Sequence, residues 1–527
     1  MTGAREQERR HVELFTPAEK ALLSRYVTNV TGDVYAIVNV PEEVVAVIFA
    51  YVSRSPASFK RNLLRLMQSG DVELPVGPSL FQKAGEKAAE FHRRWVIGYG
   101  HSSVAEHAVV HIGVENVSRL ASAVLELANP FLSFTEYSQR YQKPVRGRYY
   151  VPCELAGDLL AAYRRTMDFL YDRYEELYHG LVAYLESGTA RLPGETDNAR
   201  AARLDKKAFE DARYALPLAM FTSLGATGNG RAWRDALQIL YASPYAEVRA
   251  MANRIEEEAG QVLPTLLRHS TPTAYMEKME KERHRLAQPP ARSCTEPGRT
   301  VPGRAERSAA SGAGGNGGGS SDNNHGPQAI LLDYTGYGAA DPEEVAVRRI
   351  AEALGATRPG EAISAELYAL VDAAIGEITT HDALPEACRW VRYEAYCCLS
   401  EAAWHQLLRH RRGMTFQWNA PGIAYGFTIP GSIKAAGLEQ CLREAVSAAE
   451  ELYVYLCGAG FPEAAAYTVL NAHHRRIRTE FDLRQFYHLA NLRLAPEAQW
   501  DIKELVRQLY QQIMAVHPNL CRRASRR

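Results

Sequence analysis

The feature that most constrains this chain is a run that cannot pack. SAASGAGGNGGGSSDNNHGPQ, from Ser308 to Gln328, is almost devoid of apolar side chains and dominated by Gly, Ser and Asn. Such a segment buries too little surface to offset the cost of ordering its backbone, and reads as a flexible linker. The preceding PPARSCTEPGRTVPGR is rich in Pro and Arg without periodicity, so the expected linker spans residues 288–328. It splits the 527 residues into a first half, 1–287, and a second half, 329–527. Each is of a size that one core can serve, since single cores stop growing at roughly 250–300 residues.

Composition supplies those cores and narrows the partners. Hydrophobic residues make up 46% of the chain, and 61 Lys plus Arg balance 61 Asp plus Glu. A neutral chain has no global pull toward nucleic acid or an anionic membrane, so any basic site must be local. MTGAREQERRHVELF lacks the apolar run of a signal peptide, and no uninterrupted apolar stretch is long enough to span a bilayer. The expectation is a cytoplasmic protein with no nucleic-acid or membrane partner. Eight Cys without a CxxC pair suggest neither a disulfide framework nor a zinc site. His101, His107 and His111 are spaced for a metal, but Glu106 is the only nearby carboxylate, so no metal site is expected.

Both halves mix helix and strand, an α+β pattern. AEKALLSRYV, PEEVVAVIFAYVSRS (with Pro41 in a favourable first-turn position) and LAGDLLAAYRRTMDFLYDRYEELYHGLVAYL have helical spacing, while AVVHIGVENVS alternates as a strand does. ALPEACRWVRYEAYCCLSEAAWHQLLRHR reads as helix, because Trp390, Cys397, Trp404 and Leu408 recur on one stripe. Cys397 and Cys398 would then pack in a helical core. HHRRIR, His473 to Arg478, reads as a solvated face.

The most unusual local stretch is QLLRHRRGMTFQWN, Gln406 to Asn419. Cations favour a helix C-terminus and Gly is common just beyond one, so Arg409, His410 and Arg411 with Gly413 as a stop have a plain structural explanation. Against it, Gln406, Arg409 and His410 fall at i, i+3 and i+4, so an amide, a guanidinium and an imidazole share a face able to grip an anion or a polar ring.

A search for internal repeats pairs GHSSVAEH, Gly100 to His107, with THDALPEA, Thr380 to Ala387. Each leads into about twenty residues that end at a polar turn, ELANPFLSFTEYSQRY in the first half and LRHRRGMTFQWNAPG in the second. Together these motifs resemble those of flavin-dependent thymidylate synthases, RHRxxSxxxxSxRY preceded by GHxSxxEH and followed by ARxxLPL, NxR and NxRxxxxAQWEI. The first half keeps GHSSVAEH, then Ser133, Glu136, Ser138, Gln139, Arg140 and Tyr141, Arg213 within ARYALPL, and Asn229 and Arg231. It lacks RHR, and Leu240 stands where the late arginine belongs. The second half keeps Gln406, Arg409, His410 and Arg411, then Arg484, Asn491, Arg493, Gln499 and Trp500, but has Asn419 and Pro421 in place of the loop Ser and Arg and a non-basic residue near Ala466 or Tyr467 in place of Arg213.

The losses are complementary, which implies two fused copies of that fold forming an intramolecular pseudo-dimer with one complete site. In that family sites are shared between chains of a tetramer. By that resemblance, Gln406, Arg409 and the catalytic Arg493 would meet Glu136, Ser138, Gln139, Arg140 and Arg213 around dUMP, and the reciprocal site would be dead. Arg493 would favour the N3-deprotonated uracil ring. Arg409, His410, Arg411, Ser103, Glu136, Asn229, Arg231, Arg484 and His488 would hold FAD. The implied reaction is reductive methylation of dUMP to dTMP, with 5,10-methylenetetrahydrofolate and NADPH as co-substrates and no Cys nucleophile. A homodimer of chains would mimic the tetramer. Two other readings stay open here: a relative that binds flavin or nucleotide without turnover, suggested by Met414 and Asp482 in place of Ser and Asn, and one that modifies C5 of another pyrimidine nucleotide.

Overall fold

The computed structural model describes residues 15–51, 57–68, 102–138, 143–267, 270–287, 326–358, 364–376, 378–379 and 382–525. Most of the expected linker lies outside the described residues. Its expected last residue, Gln328, is instead the first residue of a strand.

Each half carries one antiparallel sheet among helices, in keeping with the α+β pattern. In the first half β1 (Val109–Ser118), β2 (Ser133–Glu136) and β3 (Phe221–Asn229) are ordered β1-β3-β2. In the second, β4 (Gln328–Tyr334), β5 (Arg392–Ser400), β6 (Met414–Trp418) and β7 (His474–Asp482) are ordered β4-β5-β7-β6. AVVHIGVENVS forms β1 as its alternation predicts, and the long periodic run forms a helix, Gly157–Gly188.

The helix expected over ALPEACRWVRYEAYCCLSEAAWHQLLRHR is interrupted by a strand, β5, and only the part from Glu401 onward is helical as expected. Tyr393, Ala395, Cys397 and Leu399 are buried and alternate with more exposed neighbours, which is period two. Trp390, first on the supposed stripe, is 61% exposed. Tertiary pairing decides the matter, because β4 and β7 take the two edges of β5. Cys397 therefore faces the core, while Cys398 points to the other face, its Sγ 3.8 Å from His474 Nδ1. Helix begins only at Glu401 and runs to Leu407.

HHRRIR is not a solvated face either. It enters β7, and His473, His474 and Arg475 are buried. Arg475 is tolerated there because Glu401 receives it in two bonds, 2.9 and 3.1 Å, and Asn419 O accepts a third at 2.9 Å.

The two halves repeat one another in detail. Ser118 ends β1 and caps the helix Arg119–Ala128, and Ser400 ends β5 and caps Glu401–Leu407. Each cap hydroxyl also donates to a buried carboxylate, Ser118 to Glu247 at 2.5 Å and Ser400 to Asp501, in the first turns of the helices Ala246–Val262 and Trp500–Val516. Between the halves, Leu218 N donates to Val469 O (2.8 Å) and Asn471 N to Leu216 O (2.9 Å). Outside that pair, Ala219 N donates to Tyr467 O (3.0 Å) and Ala472 N to Tyr214 O (3.1 Å), around a Pro217–Leu470 bridge. The pattern maps onto itself when the segments are exchanged, so Tyr214 corresponds to Tyr467 and Arg213 to Ala466.

The core ignores the boundary between halves. Gly157–Gly188 packs along the second-half helix Glu439–Gly458, and one apolar cluster runs from Leu120 and Trp233 through Tyr163 to Leu442 and Leu470. The N-terminal helices Pro17–Leu23, Glu42–Tyr51 and Phe59–Gln68 form a small core of their own around Leu23, Ile48 and Leu63. They dock by carboxylates: Glu42 accepts Val109 N at 2.9 Å and Glu43 accepts Thr265 N at 2.8 Å. Among the described residues, no helix is long and apolar enough to cross a membrane.

Candidate active site

The basic stretch lies where the halves meet. After Glu401–Leu407 the chain tightens into a single 3-10 turn, Leu408–His410, then swings into β6. Gly413 lets the Gln485 side chain lie close against the backbone there rather than stopping a helix, since a Cβ would force that side chain to move. The turn sends its cations into the first half. Arg411 Nη2 donates to Leu132 O at 2.6 Å with its guanidinium 4.6 Å from the centre of the Phe134 ring, and Arg412 Nη2 donates to Ser133 Oγ at 2.9 Å. Arg409 Nη2 approaches Glu136 Oε2 at 3.5 Å. Glu136 is held in turn by an ion pair with Arg119 and by Ser122 Oγ at 2.8 Å.

A second group forms behind the turn. Arg493 Nε donates to His410 Nε2 at 3.0 Å and Arg493 Nη2 to Gln406 O at 2.9 Å. Burial, then the charge of Arg493, holds the His410 imidazole well below its ordinary pKa, so it is neutral. Accepting at Nε2 leaves its proton on Nδ1, 3.2 Å from the end of the Gln485 side chain, whose amide must then turn its oxygen toward the ring to accept. The Gln406 amide donates to Gln499 Oε1 (3.2 Å), Gln499 Nε2 to Tyr214 Oη (2.9 Å), and Tyr214 Oη to Asp501 Oδ2 (2.7 Å). Tyr214 stacks on Trp500, ring centres 5.7 Å apart, so this polar chain also crosses between the halves.

Arg213 sits next to Tyr214 and is buried, and Asn471 Nδ2 donates to its carbonyl at 2.9 Å. Its charge and that of Arg409 both reach His405, whose imidazole is kept neutral by burial first and by Arg119, Arg475, Arg409 and Arg213 after that. The structure thus brings Gln406, Arg409, His410, Arg411, Arg493, Glu136 and Arg213 to one interface. Ser138 is the second residue beyond β2, and Gln139 and Arg140 lie outside the described residues.

The other expected FAD residues fall into two groups. Arg484 pairs with Glu386 at 2.7 Å, and it shares a cavity of about 290 Å³ with Arg412, Gln485 and His488, whose ring centre is 5.4 Å from that of His410. Arg231 makes the corresponding pair with Glu106 at 2.6 Å, beside the exposed Ser103. Asn229 caps the helix Gly230–Tyr241. Asp482 caps Leu483–Arg493 in the same way, so the Asn-to-Asp departure keeps its structural job, and Met414 is buried where β6 begins. His101 lies outside the described residues, while His111 Nδ1 meets Thr227 Oγ1 at 2.9 Å and His107 packs on Phe49.

Reading the sequence by motif missed Arg119, Ser122 and Glu126. Their signal was available, because i, i+3 and i+7 share one helix face. Burial pushes the Glu126 carboxyl up to about 7, with Glu136 adding to the rise and Arg409, Arg119 and Arg411 opposing it.

The corresponding surface on the other side has apolar residues where the first has Gln406 and Arg409, though His405 and Arg475 also line it. Val124 and Leu127 stand six and nine residues after the capping serine, as Gln406 and Arg409 do. With Trp404, Trp418 and Pro421 they line a cavity of about 270 Å³. The helix Ala274–Ala287 covers it, placing the Arg283 guanidinium 5.3 Å from the centre of the Trp418 ring.

Residues 38–265 and 366–519, well over half of the chain, match a family described as thymidylate synthase complementing protein. The chain belongs to that family. The match falls on both sides of the linker, so family sequence occurs twice. A UPF0159 protein of Chlamydia pneumoniae is 27% identical over 515 residues, covering 96% of this chain and 94% of the relative. The flavin-dependent thymidylate synthase of Saccharolobus solfataricus is 30% identical over 180 residues, 34% of this chain and 60% of that protein, and that of Clostridium tetani is 29% identical over 205 residues, 38% and 78%. The similarity to family members with a named activity is therefore partial in each case.

Proposed function

We propose that this chain is a flavin-dependent thymidylate synthase with a single composite site, making dTMP from dUMP with 5,10-methylenetetrahydrofolate as carbon donor and NADPH as reductant. Residues 1–287 and 329–527 act as two homologous domains of an intramolecular pseudo-dimer, and a homodimer of chains completes a four-unit assembly. The observation that carries this reading is the approach of Arg409 to Glu136 between halves, at 3.5 Å, flanked by the Arg411 and Arg412 contacts.

The residues present fit an anionic cofactor such as FAD. Arg119 Nε and Arg411 Nε are buried donors without a hydrogen-bond partner among the described residues. Arg409, His410 and Arg411 hold the flavin, with Arg484 and His488 behind them and Ser103, Asn229 and Arg231 as further contacts. Bound FAD supplies the hydride chemistry that no side chain offers. Glu136, Ser138, Gln139, Arg140, Arg213 and Gln406 hold dUMP, with two arginines for the phosphate. Arg493, pinned by His410 and Gln406 O, places a fixed positive charge beside the uracil ring and favours its N3-deprotonated form.

The test is direct. Purified protein is inspected for flavin absorbance and assayed for dUMP-dependent NADPH oxidation and for dTMP formation with the folate. Colourless protein that yields no dTMP after FAD is added would sink this reading.

A further inference from the structure

Eight residues after the capping serine, the second half carries Leu408 and the first half carries Glu126. Leu408 is ordinary packing, whereas Glu126 puts a carboxyl where its counterpart is apolar. The residue is 3% exposed, and among the described residues charges rather than hydrogen bonds act on its carboxyl. The helix that carries it packs on the Leu408–His410 turn, at the edge of the arginine cluster.

We propose that Glu126 is a positioning residue that couples anion binding on the Arg409–Arg411 face to the uptake of one proton from solvent. This rests on the reading that the face holds the phosphates of FAD. Four charged groups reach the carboxyl: Glu136 from β2, Arg119 from its own helix, and Arg409 and Arg411 from the turn. Of the other elements packed on that helix, Gly230–Tyr241 carries Arg231, Arg234 and Asp235, β1 carries His111 and Glu115, β3 carries no charged side chain, and Ala246–Val262 presents Glu247, engaged by Ser118 at the helix's opposite end.

The physical argument is competition for the same cations. With no anion on the face, the three guanidiniums partly offset burial and the repulsion from Glu136, so the carboxyl stands near its midpoint at neutral pH. An arriving anion takes up the arginines' field. The ionised carboxylate then loses its support, and a solvent proton adds to one carboxylate oxygen, leaving a neutral acid that no longer opposes the ligand. Leu408, on the other half, offers no such balance.

The experiment titrates FAD into the full-length apoprotein by calorimetry from pH 6 to 9, at each pH in two buffers of different ionisation enthalpy. Proton uptake approaching one per FAD is expected above pH 7, with affinity falling by up to about tenfold per pH unit. Glu126→Gln should bind FAD with no uptake and little pH dependence. Wild-type binding without proton uptake would overturn the proposal whether or not the variant folds, as would uptake that survives in Glu126→Gln. FAD that binds at no pH would instead overturn the cofactor reading beneath it.

Discussion

Arg409 Nη2 stands 3.5 Å from Glu136 Oε2, and Glu136 is itself paired with Arg119. One carboxylate therefore sits between guanidiniums from the two halves. Removing it leaves those cations facing each other across the interface. Glu136→Ala in the first half and Arg493→Ala in the second should each lower dTMP formation by about 100-fold or more. If each chain builds its site from its own halves, as proposed, mixing the two variant proteins should restore nothing. Recovery to about a quarter of normal turnover would place the site between chains instead.

Tyr214 links Gln499 and Asp501 through one hydroxyl. Tyr214→Phe keeps the stack on Trp500 but strands two buried polar partners. The expected cost is about 1–3 kcal/mol in urea unfolding, with the fold retained.

Glu126 also sets a pH dependence of stability. Its folded pKa, about 7, lies above the ordinary 4.5. Between those values the unfolded chain releases the proton that the folded chain keeps, so this group makes stability fall as pH rises from 4.5 and level off above 7. Below 4.5 both states are protonated and it contributes nothing. Glu126→Gln should thus match wild type near pH 4 and exceed it at pH 8 by on the order of 3 kcal/mol. Urea melts at the two pH values check this, and an equal gap at both would contradict it.

The shared core predicts that the halves cannot part. With a protease site inserted between residues 308 and 325, cleavage should leave two fragments that co-elute and unfold in one transition. Two separate transitions would mean independent cores.

Much of the candidate site was legible in sequence because the residues that meet at the interface sit in motifs whose spacing survives in one dimension: Gln406, Arg409, His410 and Arg411 on one side, Glu136 and Arg213 on the other. β1 was legible because one face is buried and the other is not, which forces alternation. β5 was not, because Cys397 also falls on a helical stripe with Trp390, Trp404 and Leu408 on either side of it, and only the edges offered by β4 and β7 choose between the two periods. HHRRIR misled for a related reason. Charge usually signals solvent, and the Glu401 carboxylate that lets Arg475 stay buried is far away in sequence. Arg119, Ser122 and Glu126 left a trace in their shared helix face, but that spacing means little until the partner charges are placed.

The paired hydrogen bonds around Pro217 and Leu470 have a consequence for synthesis. When Leu216–Ala219 leaves the ribosome its partner Tyr467–Ala472 does not yet exist. At about 5–20 residues per second, the first half waits roughly 10–50 s with that backbone edge and the apolar surface beside it uncovered. During that interval another nascent chain can offer the same edge. Slow translation or crowded polysomes would then favour swapped dimers, in which each copy's second half completes the other's first.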